Sequence, residues 1–322
     1  MLTKVLITSL DNTEKGNRTH ENKLLEIYQK SNKKYTLVDN PEEAHIILIG
    51  NVDDKTGEKI LANPILKKFP EKSFSLSDTF ITLFLNRGIY TSANTRSLFG
   101  WRRIRTGSYT LLPDEFINPF IKLVSNQLIV EKKFLFSFIG RNCHPVRNRI
   151  LNLAFQRRDI LIEDSSKIFD LWKTNVSKEQ KQFRFAEILA QSKFSLCPRG
   201  AIANSIRLFE SLQMGVAPII IADAFLLPKG PDWAKFSIII KEKDIDQLEK
   251  IVSSCEANYA EMGALAKQCY DNYFSEDSYF NYVVDNCLDI QKTQIIPEKL
   301  YWQTRHLYLS YLNLKKWIIA RL

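Results

Sequence analysis

The residue types and spacings with the most chemical meaning lie in Phe194–Ala222, FSLCPRGAIANSIRLFESLQMGVAPIIIA. Ser195–Cys197 closes a strand, Pro198-Arg199-Gly200 forms a tight turn, and a helix beginning near Ile202 points its positive end at whatever occupies that turn. A helix N-terminus with a glycine before it and an arginine beside it is an anion site, and a diphosphate suits it. On the helix, Arg207 and Glu210 are three residues apart and share a face. Glu210 lies past the first turn, where a carboxylate gains little from the helix dipole, and it could accept hydrogen bonds from ribose hydroxyls. An Arg207–Glu210 ion pair on a solvated face is the alternative.

A second loop, Gly140-Arg141-Asn142-Cys143-His144-Pro145, follows the apolar run FLFSFIG, with Arg147 and Arg149 in the helix beyond it. Gly140 would let a phosphate approach the backbone and Arg141 could pair with it. An ordinary strand-to-helix turn with Pro145 at the first helical position fits the same residues.

Both loops need strands behind them. Regular alternation supplies these after residue 129: strand 134–139, helix 146–156, strand 159–163, helix 178–191, strand 193–197, helix 202–213, strands 216–222 and 236–240, and helix 244–253. Strands separated by helices of ten or more residues predict crossover connections and a parallel sheet with helices on both faces. In a doubly wound sheet of this kind ligands bind beyond the carboxyl ends of the strands. The first part opens similarly, with strands 4–9, 35–39 and 44–50 and a helix 21–31 carrying Leu24, Leu25 and Tyr28 on one stripe. Further on, 64–70 reads as helical, 80–85 and 88–92 as extended, 116–130 as a helix and WRRIRTGSY as a basic loop. The chain therefore divides into an α/β domain over 1–128, a second over 129–290, and a helical extension over 291–322.

A length of 322 residues supports two domains. Apolar residues at 45% and charged residues at 25% are ordinary for a globular protein. The formal charge of +9 is unevenly placed: 1–128 carries 18 basic against 14 acidic residues, 129–290 carries 21 of each, and 291–322 carries 6 against 1. The excess avoids the richest motif, which argues against a nucleic-acid partner. The extension mixes Tyr301, Trp302, Leu307, Tyr308, Tyr311, Leu312, Trp317 and Ile318 with Arg305, Lys315, Lys316 and Arg321. Such a helix lies on an anionic membrane surface or packs back on the protein. No secretory signal and no run of 18 apolar residues is read, and five scattered cysteines fit reduced thiols in the cytoplasm.

Taken together, Phe138-Ile139-Gly140-Arg141, Phe194-Ser195-Leu196-Cys197-Pro198-Arg199-Gly200, Ser205-Ile206-Arg207-Leu208-Phe209-Glu210, Gly215-Val216-Ala217-Pro218-Ile219-Ile220, Pro228 and Asp244-Ile245-Asp246-Gln247-Leu248 resemble the C-terminal half of the exostosin family of glycosyltransferases. The resemblance covers about residues 134–255. It implies two Rossmann-like domains facing a central cleft (the GT-B architecture), inversion at the anomeric carbon, no obligatory metal or cofactor, and a nucleotide sugar, usually UDP-linked, as co-substrate. Carried over residue by residue, Arg199, Arg207 and the first-turn amides near Asn204 and Ser205 would hold the diphosphate, and Glu210 the ribose. Ser77-Asp78-Thr79-Phe80 followed by Gly88–Ser92 resembles a reduced form, without its histidine, of an Asp-His-Phe motif in the family's N-terminal half.

An inverting transfer also needs a general base, for which Asp11, Glu14, His20 and Asp78 are the candidates. The implied setting is a bacterial enzyme in the cytoplasm, peripheral to the inner face of the cell membrane, acting on a glycan or lipid-linked glycan acceptor of a surface polysaccharide or lipopolysaccharide. A fucosyltransferase-like enzyme using GDP-fucose and a non-catalytic nucleotide- or nucleic-acid-binding α/β protein are the competing expectations.

Overall fold

The computed structural model describes residues 2–10, 18–52, 57–77, 85–94, 102–126, 130–166 and 176–319, without the side chains of 176, 177, 308 and 311–319. The chain forms two compact units: Met1–Leu111 with Leu226–Lys229 and Glu276–Leu322, and Leu112–Phe225 with Gly230–Ser275.

The first unit begins with β1 (Lys4–Ser9), α1 (Thr19–Lys30), β2 (Thr36–Leu37), β3 (Ile46–Gly50), α2 (Gly57–Ala62), α3 (Pro64–Lys68), β4 (Ser73–Ser77), β5 (Gly88–Tyr90) and β6 (Ile104–Thr106). The strands form one parallel sheet in the order β2-β1-β3-β4-β5-β6. β3, all aliphatic but for its closing glycine, is buried throughout, as a strand covered on both faces must be. α1 buries Leu24 and Ile27 against the sheet, whereas Leu25 of the predicted stripe faces outward. Asn63 caps α3 by accepting the Leu66 amide, with Pro64 at the first helical position.

Two segments differ from the sequence reading. β4, SFSLS, is a buried strand that serine content conceals, since Ser73 and Ser75 are fully buried. The predicted basic loop around Arg103 contains β6, and Arg103 itself is buried. Of the extended segment expected over 80–85, residues 80–84 lie outside the described residues.

The second unit contains α4 (Pro119–Ser125), β7 (Phe134–Gly140), α5 (Pro145–Leu151), β8 (Ile160–Asp164), α6 (Val176–Ala190), β9 (Ser192–Pro198), α7 (Ile206–Met214), β10 (Ala217–Ile221), β11 (Ile238–Ile239), α8 (Leu248–Ser254) and α9 (Tyr259–Cys269). Its parallel strands lie in the order β11-β10-β9-β7-β8. Leu135, Phe136, Phe138, Phe194, Leu196, Ile219 and Ile221 form the centre of its core. Gly215 ends α7 in the left-handed region (φ 69°, ψ 34°), a conformation with little penalty only for glycine.

The chain then returns to the first unit through α10 (Glu276–Thr293) and α11 (Glu298–Ile319). From α10, the Tyr279 hydroxyl accepts the Ser108 amide at 2.9 Å and the Tyr282 hydroxyl donates to the Thr106 carbonyl at 2.7 Å. Trp302 and Leu309 of α11 pack on the core around Ile47 and Ile60. Of the two readings of the C-terminal helix, its described part packs back on the protein. Residues 276–290, counted with the second domain from sequence, belong with the first unit, and so does the described part of the extension.

Each sheet has one switch point. In the first, the strand after β1 lies on one side of it and the next on the other, so the crevice opens between the carboxyl ends of β1 and β3. In the second it opens between those of β7 and β9.

Candidate functional site

The loops singled out from sequence, Gly140–Pro145 and Pro198–Gly200, leave the ends of β7 and β9, the two strands that flank the switch point of the second sheet. Topology thus brings together residues sixty apart in the chain at the place where an open α/β sheet binds ligands.

α7 begins at Ile206, four residues later than the spacing predicts. The buried Asn204 accounts for the delay, because its Oδ1 accepts the Ser205 amide at 2.6 Å, a local bond that competes with helix formation. The Ser205 amide is therefore taken, and the first-turn donors with no partner among the described residues are the amides of Ile206 and Arg207. Arg207 occupies the second helical position and Glu210 the fifth.

Arg207 is buried. It donates to the Ile139 carbonyl, and its guanidinium carbon lies 4.7 Å from the Phe138 ring centre and 5.4 Å from that of Phe185. A Cβ at Gly140 would stand 2.6 Å from Phe138 Cζ and 3.1 Å from Arg207 Nη2, so only glycine fits above this stack. The alternative of a surface ion pair is not seen: no N···O approach within 4 Å joins Arg207 and Glu210 among the described residues, and Arg207 engages backbone and aromatic rings instead.

Arg199 remains available. Among the described residues its guanidinium has a single carboxylate neighbour, Glu242 at 3.9 Å, and the Nε–H groups of both Arg199 and Arg207 find no acceptor. Glu242 is engaged elsewhere, exchanging bonds with Asp223 at the end of β10: the Asp223 amide donates to Glu242 Oε1 at 3.1 Å and the Glu242 amide to Asp223 Oδ1 at 2.9 Å. Arg141 is exposed at the other loop. An incoming anion would meet two guanidinium groups and two amides with few competing acceptors, an arrangement suited to a diphosphate.

Arg147, which the sequence leaves without a role, ties the loops together. It donates from α5 to the carbonyls of Arg199 (3.0 Å), Arg141 (3.2 Å) and Pro198 (3.2 Å). Gly200 lies against the same guanidinium, since a Cβ there would be 3.2 Å from Arg147 Nη2. An arginine two residues past a helix-starting proline is the only signal in the sequence, and it does not reveal the Pro198 and Arg199 carbonyls about fifty residues away.

Glu210 is half-buried and makes no hydrogen bond or ion pair among the described residues. Burial pushes its carboxyl up to about 7, with Arg207 pulling the other way. Because the folded state binds this proton more tightly than the unfolded chain, the associated stability is full below the ordinary carboxyl range and is lost as pH rises through about 7. If Glu210 accepts ribose hydroxyls, nucleotide affinity runs the opposite way and falls as pH drops through 7. We expect titrations across pH 6 to 8 to show this slope. Glu210→Gln should flatten it, whereas an unchanged slope in that variant would remove the ribose role.

The candidate bases belong to the first unit. Asp11, Glu14 and Asp78 lie outside the described residues. His20, in the first turn of α1, is buried beside the crevice of the first sheet, and its Nδ1 accepts the Asn51 amide at 2.9 Å. A backbone N–H can only donate, so the neutral ring carries its proton on Nε2 and offers no second lone pair. Asn51, at the end of β3, sits at φ 59° and accepts at Oδ1 from the Ser9 hydroxyl (3.2 Å) and the His20 amide (3.3 Å). As placed, the Nδ1 lone pair is taken up by the Asn51 amide.

A family model for the exostosin GT47 domain matches residues 81–255. The chain is similar to an exostosin-1 homolog of Caenorhabditis elegans, 28% identical over 157 residues, which are 44% of this chain and 41% of that protein. It is also similar to a probable glucuronosyltransferase 47 A of Physcomitrium patens, 36% identical over 80 residues, 24% of this chain and 17% of that one. The matched stretches thus span well under half of these relatives. Among solved structures, an α1,3-fucosyltransferase aligns over 91% of this chain and 92% of its own at 14% identity and a TM-score of 0.41, too slight a likeness to add to the topology.

Proposed function

The chain belongs to the exostosin GT47 family, and we propose that it is an inverting glycosyltransferase that moves a sugar from a nucleotide diphosphate sugar, UDP-linked, to a glycan. The observation that carries this reading is the convergence of Gly140, Arg141, Arg199, Gly200 and the start of α7 at the switch point of the second sheet. The diphosphate lies against Arg199, Arg141 and the amides of Ile206 and Arg207. Arg207, fixed beneath Gly140, contributes its charge and holds the floor of the site, and Glu210 receives the ribose.

In the transfer, an acceptor hydroxyl oxygen attacks the anomeric carbon from the face opposite the diphosphate. The bond from that carbon to the phosphate oxygen breaks, its electron pair leaves with the diphosphate, and the hydroxyl proton passes to a general base. Charge builds on the leaving diphosphate, and groups already positioned for it stabilise the transition state more than the ground state. Asp11, Glu14 and Asp78 are the proposed bases, since the Nδ1 lone pair of His20 is taken up by the Asn51 amide. The proposed acceptor is a glycan or lipid-linked glycan of a bacterial surface polysaccharide or lipopolysaccharide, and the proposed site of action is the cytoplasm.

Calorimetric titration with UDP and with GDP, followed by transfer assays with the matching sugar nucleotides, tests this reading. Tight binding of UDP with hydrolysis or transfer of a UDP-sugar is expected. Preference for GDP would assign a fucosyltransferase-like donor instead, and salt-dependent binding of generic DNA or RNA without turnover would point to a non-catalytic protein.

A further inference from the structure

α11 has two apolar faces. At 100° per residue, Glu298, Trp302, Arg305 and Leu309 share one stripe, and it is the stripe that packs on the first unit. Leu300 and Leu307 lie about 180° away from it and are 51% and 61% exposed. The sequence continues their spacing at Tyr311, Leu314 and Ile318. Ile295 and Ile296, in the turn before the helix, are exposed as well. A helix docked by one stripe ordinarily turns a polar face to water, so a second apolar stripe opposite the first calls for an occupant.

Charge identifies that occupant. Lys292 and Lys299 are exposed, and along α11 the sequence adds Lys315, on the other flank of the outer stripe from Lys299. The nearby carboxylates are engaged: Glu298 is buried between Arg103 and Arg305, and Glu71 accepts the amides of Glu298 (3.3 Å) and Lys299 (2.8 Å) at the start of α11. A second copy of the chain would set this basic rim against its own image, which is unfavourable. No helix among the described residues is long and apolar enough to cross a membrane, which leaves a helix lying in the interface plane. We propose that the outer stripe of α11 docks on an anionic membrane surface, Leu300 and Leu307 entering the acyl boundary and the lysines meeting lipid phosphates. Neither signal alone gives firm attachment, but apolar insertion and a basic rim together do. The proposal stands independently of which donor the second unit takes.

Co-sedimentation of the full chain with vesicles tests it. The chain should sediment with vesicles containing phosphatidylglycerol at low salt, less at high salt, and little with phosphatidylcholine alone. Leu300→Asp/Leu307→Asp should weaken the partition by on the order of ten-fold or more with an unchanged Tm, because both side chains are already in water. Should that variant fold poorly, Lys299→Glu/Lys315→Glu should weaken binding to the anionic vesicles alone. Absence of vesicle binding, equal binding by these variants, equal binding to both lipids, or self-association that the leucine substitutions abolish would each overturn the proposal.

Discussion

Replacing Arg199 with alanine is expected to weaken nucleotide diphosphate binding by roughly ten- to a hundred-fold, the worth of a charge-assisted hydrogen bond lost from a positioned site. The same change should leave Tm nearly unaltered. Among the described residues the Arg199 side chain has only Glu242, at 3.9 Å, as an ionic neighbour, and no acceptor for its Nε–H, so removing it breaks little there. Arg207 makes the contrast. Its guanidinium holds the Ile139 carbonyl and lies on Phe138 and Phe185, so Arg207→Ala should lower Tm as well as affinity. Calorimetry with UDP beside thermal melts separates the two outcomes. If Arg199→Ala binds UDP as tightly as the parent, the diphosphate does not lie beside Pro198-Arg199-Gly200.

The largest effect on stability is expected from Glu298→Ala. Glu298 is fully buried, takes two bonds from Arg103 (3.0 and 2.7 Å) and one from Arg305 (2.7 Å), and also accepts from Gln294 at 2.9 Å. Burial alone would raise its carboxyl, but the two guanidinium groups overcome this and hold it below the ordinary carboxylate range. The stability it supplies is therefore present above the carboxyl range of the unfolded chain and is lost as pH falls through its lowered value. Without it Arg103 and Arg305 are buried cations that have lost the carboxylate they share. Breaking such a pair from one side is worth about 3–5 kcal/mol, a fall in Tm on the order of 10 °C. Tyr301 and Trp302, each 3.9 Å from one of these guanidinium groups, would lose their seats, and α11 would loosen from the first unit. A melt within about 2 °C of the parent would mean that α11 is held by its apolar contacts instead.

How far the sequence could be read follows from how local each determinant is. β1, β3, β7, β9 and β10 are short apolar runs whose burial is written in their composition, and the loops after β7 and β9 follow from the strands that precede them. β4 and β6 are hidden because what makes them strands lies elsewhere. Ser75 of β4 pairs with β3 and β5, and the Arg103 that makes β6 look like a basic loop is neutralised by Glu298, nearly two hundred residues on. In the site, Pro198-Arg199-Gly200 is legible as an anion turn from its residues. The late start of α7, the diversion of Arg207 away from Glu210 and the clamp made by Arg147 depend on partners in other loops. The placement of α10 and α11 on the first unit is likewise a matter of long-range contacts that periodicity does not register.

Whether a nucleotide diphosphate occupies the switch point of the second sheet is tested most directly by a crystal structure of the chain soaked or grown with UDP. The diphosphate is expected between the ends of β7 and β9, within hydrogen-bond distance of Arg199 and the Ile206 or Arg207 amide, with the ribose at Glu210. A nucleotide bound at the crevice between β1 and β3, or bound with its phosphates away from Arg199, would contradict it.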